Sequence, residues 1–242
     1  MLLAWLLVLA IGLGAGTLAG IIGFGGSTIL LPVLTFVFGA KAAVPIMAIA
    51  AVLGNLSRVA VWWREIHWSA AFAYSVTAMP MAWLGARTML ALDATVLELF
   101  LGIFFILMIP LRRWLERSGF SIKLGGLAIA GAVVGYLTGI VANTGPINTP
   151  FFLAHGLTRG AFVGTEAMSS LSMFSSKVVA FRTFGALPAE MIFNGVIVGT
   201  SLMIGAYLAK RFMRRISGDA FRGLMDGLLL ITGAAMIIGA LF

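Results

Sequence analysis

Arg58, Glu166 and Lys177 each stand inside a long run that is otherwise almost free of charge. Ionisable groups at such places are costly and are often functional. Arg58 and Lys177 each lie about two turns before the far end of their run, and a pair of cations suits an anionic solute. Both side chains are also long enough to snorkel to an interface. Glu166, Ser170, Met173 and Lys177 recur at helical spacing, which puts them on one face. A carboxylate there is suited to carry a coupling proton, to pair with a neighbouring base, or to sit near the cytoplasmic interface. Asn55, one turn before Arg58, and Ser170 and Ser176, before Lys177, add hydrogen-bonding groups, although serines also pack membrane helices without any solute.

A second set of candidates lies in two breaks, Gly23-Phe24-Gly25-Gly26-Ser27 and Asn143-Thr144-Gly145-Pro146-Ile147-Asn148. Each follows a long apolar run and precedes a short one, Thr28 to Phe38 and Ile147 to Leu157. Irregular backbone at membrane depth survives only where protein buries it or a watery cavity solvates it. Pro146 suits a first helical turn, and Ser27 or Thr144 is placed to cap one. Free amides and the positive end of a helix dipole at each break favour an anion. Gly25, Gly26, Ser27, Thr28, Asn143, Thr144, Gly145 and Asn148 therefore join Asn55, Arg58, Ser170, Ser176 and Lys177 as candidate substrate-binding residues. The same glycines also allow close helix packing without any solute.

The elements that carry these residues follow from composition. The chain is 61% hydrophobic and 10% charged, against roughly 45–50% and about 25% for a soluble domain. Uncharged runs at Leu2 to Ile22, Ala42 to Trp63, Trp68 to Leu90, Thr95 to Leu111, Leu124 to Ala142, Ala161 to Phe181, Leu187 to Ala209 and Ala220 to Leu241 predict about eight crossing helices beside the two short ones. The 30 glycines fit helices that pack closely in lipid. The absence of cysteine removes thiol nucleophiles and thiolate metal sites. Two histidines in separate connections argue against a metal centre, and no cofactor is expected. Without a paired acid and base in the predicted core, an enzyme is disfavoured.

A net charge of +8 would suit nucleic acid, but the basic residues sit in short connections between apolar runs, which is a topology signal. The Arg-rich run at 210 to 215 is placed to meet lipid head groups or simply to set topology. Trp62, Trp63, Trp68 and Trp114 mark boundaries, as an aromatic belt does. The first forty residues carry no charge, so the basic start of a cleaved signal is missing and this segment reads as part of the fold.

An offset of 119 residues carries Gly12, Gly16, Gly20 and Gly26 onto Gly131, Gly135, Gly139 and Gly145, and Ser57-Arg58 onto Ser176-Lys177. The short segment recurs in the same place, so the chain divides into repeats at 1–118 and 119–242. If each long and short pair forms a hairpin that starts and ends on one side, Arg64, Arg112, Arg113, Arg117, Lys123, Arg159, Lys210, Arg211, Arg214, Arg215 and Arg222 share a face. Only Lys41, Arg87 and Arg182 then fall on the other. The positive-inside rule favours this arrangement, with both termini periplasmic. Three crossings after each hairpin invert the second half. The expected fold is an all-α polytopic membrane protein of two inverted-topology repeats, each a helical hairpin with a short helix followed by three transmembrane helices.

The stretch from Gly16 to Gly26 leading into Pro32, its weaker echo from Gly131 to Pro150, and a basic residue in each following helix resemble the TauE/SafE family of sulfite exporters and organosulfur-anion permeases. The resemblance implies a bacterial inner-membrane secondary transporter of sulfite or of a sulfonate such as taurine or sulfoacetate. It implies a site at the two glycine-rich breaks and the polar residues that face them. The second break departs from the family's run of glycines. A channel-like anion pore is the alternative, and oligomeric state is left open.

Overall fold

The computed structural model describes residues 2–22, 26–141, 144–212 and 218–241. Ten α-helices occupy them: α1 (Leu2–Ile22), α2 (Gly26–Phe38), α3 (Ala40–Trp62), α4 (Trp68–Ala91), α5 (Ala94–Arg117), α6 (Leu124–Ile140), α7 (Gly145–Ala154), α8 (Arg159–Thr183), α9 (Ala189–Phe212) and α10 (Gly218–Leu241). A 3₁₀ turn at Trp63–Glu65 links α3 to α4, and the described residues contain no strand. The short helices fall where the two breaks predict them. α5 runs past the expected end near Leu111 to Arg117, with Pro110 inside it as the expected run already had. An internal proline costs one backbone hydrogen bond, which membrane helices tolerate when their neighbours hold them.

Among the described residues, three segments are long and apolar enough to cross a membrane on length and composition: Ala40–Glu65, Ala94–Leu115 and Ala189–Ala209. Helix α8 does not qualify because five serines, a carboxylate and a lysine lie within one stretch of it, Glu166 to Lys177. It instead packs between α3 and α4, where Arg58, Ser75 and the Met79 carbonyl meet Glu166, Ser172 and Ser176. The exterior is apolar: Phe36 is 92% exposed, Phe72 72% and Ile129 71%. Such an exterior suits lipid and would be untenable in water.

Glycine sets how closely the inner helices approach. A Cβ at Gly12, Gly16 or Gly20 of α1 would collide with Ser201, Leu202 or Ala206 and Ala209 of α9. A Cβ at Gly131, Gly135 or Gly139 of α6 would meet Tyr74, Ala78 or Ala82 of α4. The packing role open to these glycines is therefore real at six positions. In both pairs the contacts climb together along the two sequences, so α1 runs parallel to α9 and α6 parallel to α4.

Other contacts fix the remaining directions. Helix α3 runs against α8, since Trp62 meets Gly160 and Gly164 while Arg58 meets Glu166. Helix α4 runs with α8, joined by Ser172 to Ser75 and Ser176 to the Met79 carbonyl. Helix α5 runs against α10: Gly102 lies beside Ile237, and Arg113 pairs with Asp226 at 2.6 Å. Two hairpins precede these helices. Gly26 at the start of α2 returns beside Ala19, and the Ile122 amide before α6 donates to Ala154 at the end of α7.

Trp63, Trp68 and Trp114 are exposed at 55%, 47% and 64%, as boundary tryptophans should be. The two histidines, although they belong to separate connections, have ring centroids 5.7 Å apart. No group of three metal-ligating side chains occurs among the described residues.

Candidate functional site

Most of the buried candidate residues fall into two separate places. The first is a small cavity of about 40 Å³ among α1, α2, α3, α7, α8 and α9. It is bounded on one side by Gly26 and Ser27 at the start of α2 and by Gly145 at the start of α7. Asn55 and Arg58 of α3 and Glu166 and Ser170 of α8 close the other side. Gly16, Ala19, Ala51, Gly54, Phe174, Leu202 and Ala206 complete an apolar wall.

Space of this size holds a few waters or one small oxyanion. The first residues of two helices meet it, and each helix brings a positive dipole end. Glycine stands at both starts, so no side chain projects from the first residue of either helix. Ser27 lies inside the first turn of α2, one residue after Gly26, rather than at the capping position expected for it. Thr144 does occupy the capping position of α7, but its hydroxyl bonds Thr138 and not its own helix. The Thr144 carbonyl accepts the Ile147 and Asn148 amides at 2.9 and 3.0 Å.

Arg58 is the cation of this cavity, and its side chain is 9% exposed. Its Nη1 lies 2.8 Å from Glu166 Oε2, its Nη2 bonds Asn55 Oδ1, and Asn55 Nδ2 donates to the Ala51 carbonyl at 2.8 Å. The other Glu166 oxygen accepts from Ser170 Oγ at 2.7 Å. These side chains form one buried network, and the low local dielectric strengthens each bond within it.

The second place surrounds the end of α6. Lys177 is fully buried, and its Nζ donates to the carbonyls of Thr138 at 2.7 Å and Val141 at 2.8 Å. The ammonium also lies 5.5 Å from the Phe181 ring centroid. Those carbonyls belong to the final turn of α6, where a cation complements both the orphan acceptors and the negative dipole end. Nearby, Asn148 accepts the Tyr74 hydroxyl at 2.5 Å.

The candidates read from sequence are thus divided. Gly26, Ser27, Asn55, Arg58, Gly145, Glu166 and Ser170 meet in the cavity. Lys177, Thr144 and Asn148 are buried but lie among other partners. Ser176 turns to the Met79 carbonyl of α4, at 2.7 Å. Gly25 and Asn143 are outside the described residues, as is the Thr28 side chain. Sequence reasoning missed Gly54, Phe174, Leu202 and Ala206, apolar wall residues with no chemical signature. It also missed Tyr74, whose hydroxyl finds Asn148 only through the packing of α4 beside α7.

An apolar exterior around an interior cavity that buried charged side chains line makes this a helical membrane protein. Residues 8–236 match the family described as Sulfite exporter TauE/SafE, and the chain belongs to it. Membership makes it a transport protein of the sulfite and anion exporter kind. No curated protein and no solved structure matches the chain.

Proposed function

We propose that this chain carries a small oxyanion, either sulfite or a sulfonate such as taurine or sulfoacetate, across the bacterial inner membrane. Solute binds in the cavity and is released by alternating access. The observation that carries this reading is the meeting of two helix starts, α2 and α7, with the buried Arg58 guanidinium. Arginine offers a planar fork that matches an oxyanion edge. Serine and asparagine around it supply further donors.

Halves 1–118 and 119–242 act in this scheme as inverted repeats that rock about the cavity. The antiparallel contact of α3 with α8, which the offset pairs as counterparts, supports that reading. So does the parallel packing of α1 on α9 and of α6 on α4. The basic connections set the cytoplasmic face and put both termini in the periplasm. Single cysteines introduced at Ser118 and Thr158 of this cysteine-free chain should be labelled by an impermeant thiol reagent from the cytoplasmic side, and one at Asp93 from the periplasmic side. Labelling of Ser118 and Asp93 positions from one face would discard this topology.

Transport is tested in proteoliposomes with radiolabelled sulfite, taurine and sulfoacetate. Saturable uptake accelerated by the same solute inside is expected of a carrier. Single-channel currents with weak saturation would instead assign a pore, and no flux of any of the three would end the organosulfur reading.

A further inference from the structure

We propose that Glu166 holds the place of the transported anion at Arg58, and that solute displaces it by entering together with a proton that Glu166 takes up. The inference rests on the cavity being the transport site. The geometry is that of a substituted ligand: one carboxylate oxygen lies 2.8 Å from Arg58 Nη1, and the other is held by Ser170 at 2.7 Å. Both residues line the cavity that the starts of α2 and α7 also meet. The guanidinium edge that would grip an oxyanion is therefore occupied by the protein's own anion.

Charge balance calls for the proton. Arg58 and Glu166 bring one positive and one negative charge to the cavity, and Glu166 is 2% exposed. A monoanion arriving beside them adds a second negative charge in a poorly hydrated space, where like charges repel strongly. Neutralising Glu166 removes that repulsion and frees Arg58 Nη1 at the same time. The proton goes to the carboxylate, no other bond forms or breaks, and the loaded cavity regains the net charge of the empty one.

Few other groups could take this part. On α3 the neighbours are Arg58 and Asn55, and on α8 itself Ser170. Tyr74 of α4 also feels the Glu166 charge, and its hydroxyl donates to Asn148, while Glu65 and His67, between α3 and α4, lie beside Gly160 and Thr165 of α8. Lys177 points its ammonium at the end of α6. The described residues of α1, α2, α7 and α9 that line the cavity are glycine, alanine, serine and leucine.

Linkage makes the effect reciprocal: protonation strengthens anion binding by the factor by which the anion strengthens protonation. A monoanion carried with one proton moves no net charge, so a pH gradient drives accumulation and a membrane potential does not. At equilibrium, about tenfold accumulation per unit of pH gradient is expected.

The test uses the full chain in proteoliposomes that contain a pH-sensitive dye, with the potential clamped by potassium and valinomycin. Sulfoacetate and taurine serve as probes because their sulfonate groups do not titrate in the working range. One proton should enter with each solute molecule carried, since each brings one sulfonate to Arg58 and Glu166 takes up one proton. Glu166→Gln is expected to exchange solute at a rate independent of pH and to move no protons. Solute flux without proton movement in the wild type, or proton movement retained by Glu166→Gln, overturns the inference and leaves the transport reading standing. Absence of flux in the wild type removes the transport reading itself. If Glu166→Gln is inactive, the wild-type proton count decides.

Discussion

Arg58→Met is expected to abolish solute flux and to lower the melting temperature of the purified protein, whereas Arg58→Met/Glu166→Met recovers much of the stability and remains inactive. The single change leaves the Glu166 carboxylate buried without its guanidinium, and unpairing a buried charge costs about 3–5 kcal/mol. Replacing both partners with apolar side chains of similar volume removes two desolvation penalties together and is often neutral or stabilising. Stability and transport should therefore separate in the double variant. The solute loses its charge-assisted hydrogen bonds, worth on the order of 1.5–3 kcal/mol each, or roughly ten- to a hundredfold in affinity for one bond. Thermal shift and flux measured on the same preparations check this. Saturable transport by the double variant would show that Arg58 serves only to neutralise Glu166.

Much of this arrangement is legible in the amino-acid sequence. Charge-free runs locate the helices because a membrane segment cannot carry unpaired charge cheaply, and the turn residues at 23–27 and 143–148 locate the short ones. The partnership of Arg58 with Glu166 is not legible there. The residues lie on helices far apart in sequence, and only the antiparallel docking of α3 on α8 brings them together. Without that docking, Glu166 could be grouped only with Ser170 and Lys177 on its own helix face. The face is real, and Ser170 does bond Glu166. Length along the face, however, separates its two ends. Eleven residues at a rise of 1.5 Å put Lys177 about 16 Å from Glu166 along the helix axis. A shared face does not make a shared site.

That spacing also explains why the two matching cations differ in their surroundings. Arg58 meets the carboxylate of Glu166 on α8, while position 47, which the offset of 119 pairs with Glu166, is methionine. Lys177 accordingly has no carboxylate opposite it at the matching place, and its ammonium is satisfied by backbone carbonyls.

Lys177→Met is accordingly expected to impair transport by loosening the end of α6, and Lys177→Gln to restore most of it. Methionine leaves the Thr138 and Val141 carbonyls without their donor, at about 1–3 kcal/mol for each buried group left unpaired. Thr138 also bonds Thr144, whose carbonyl accepts the first amides of α7. Disorder at the end of α6 therefore reaches the helix start that meets the cavity at Gly145. Glutamine is uncharged, but its amide can donate two hydrogen bonds to the same pair of carbonyls. The comparison therefore separates donation from charge. If Lys177 positions α7, Lys177→Gln should keep KM for sulfite or taurine within about threefold of the wild type, which is under 1 kcal/mol, while Lys177→Met loses maximal rate and melting temperature together. If its charge instead attracts the solute directly, both variants should raise KM by a similar large factor with maximal rate retained. Kinetics of the two variants beside the wild type, with thermal shift on the same samples, distinguish the two roles.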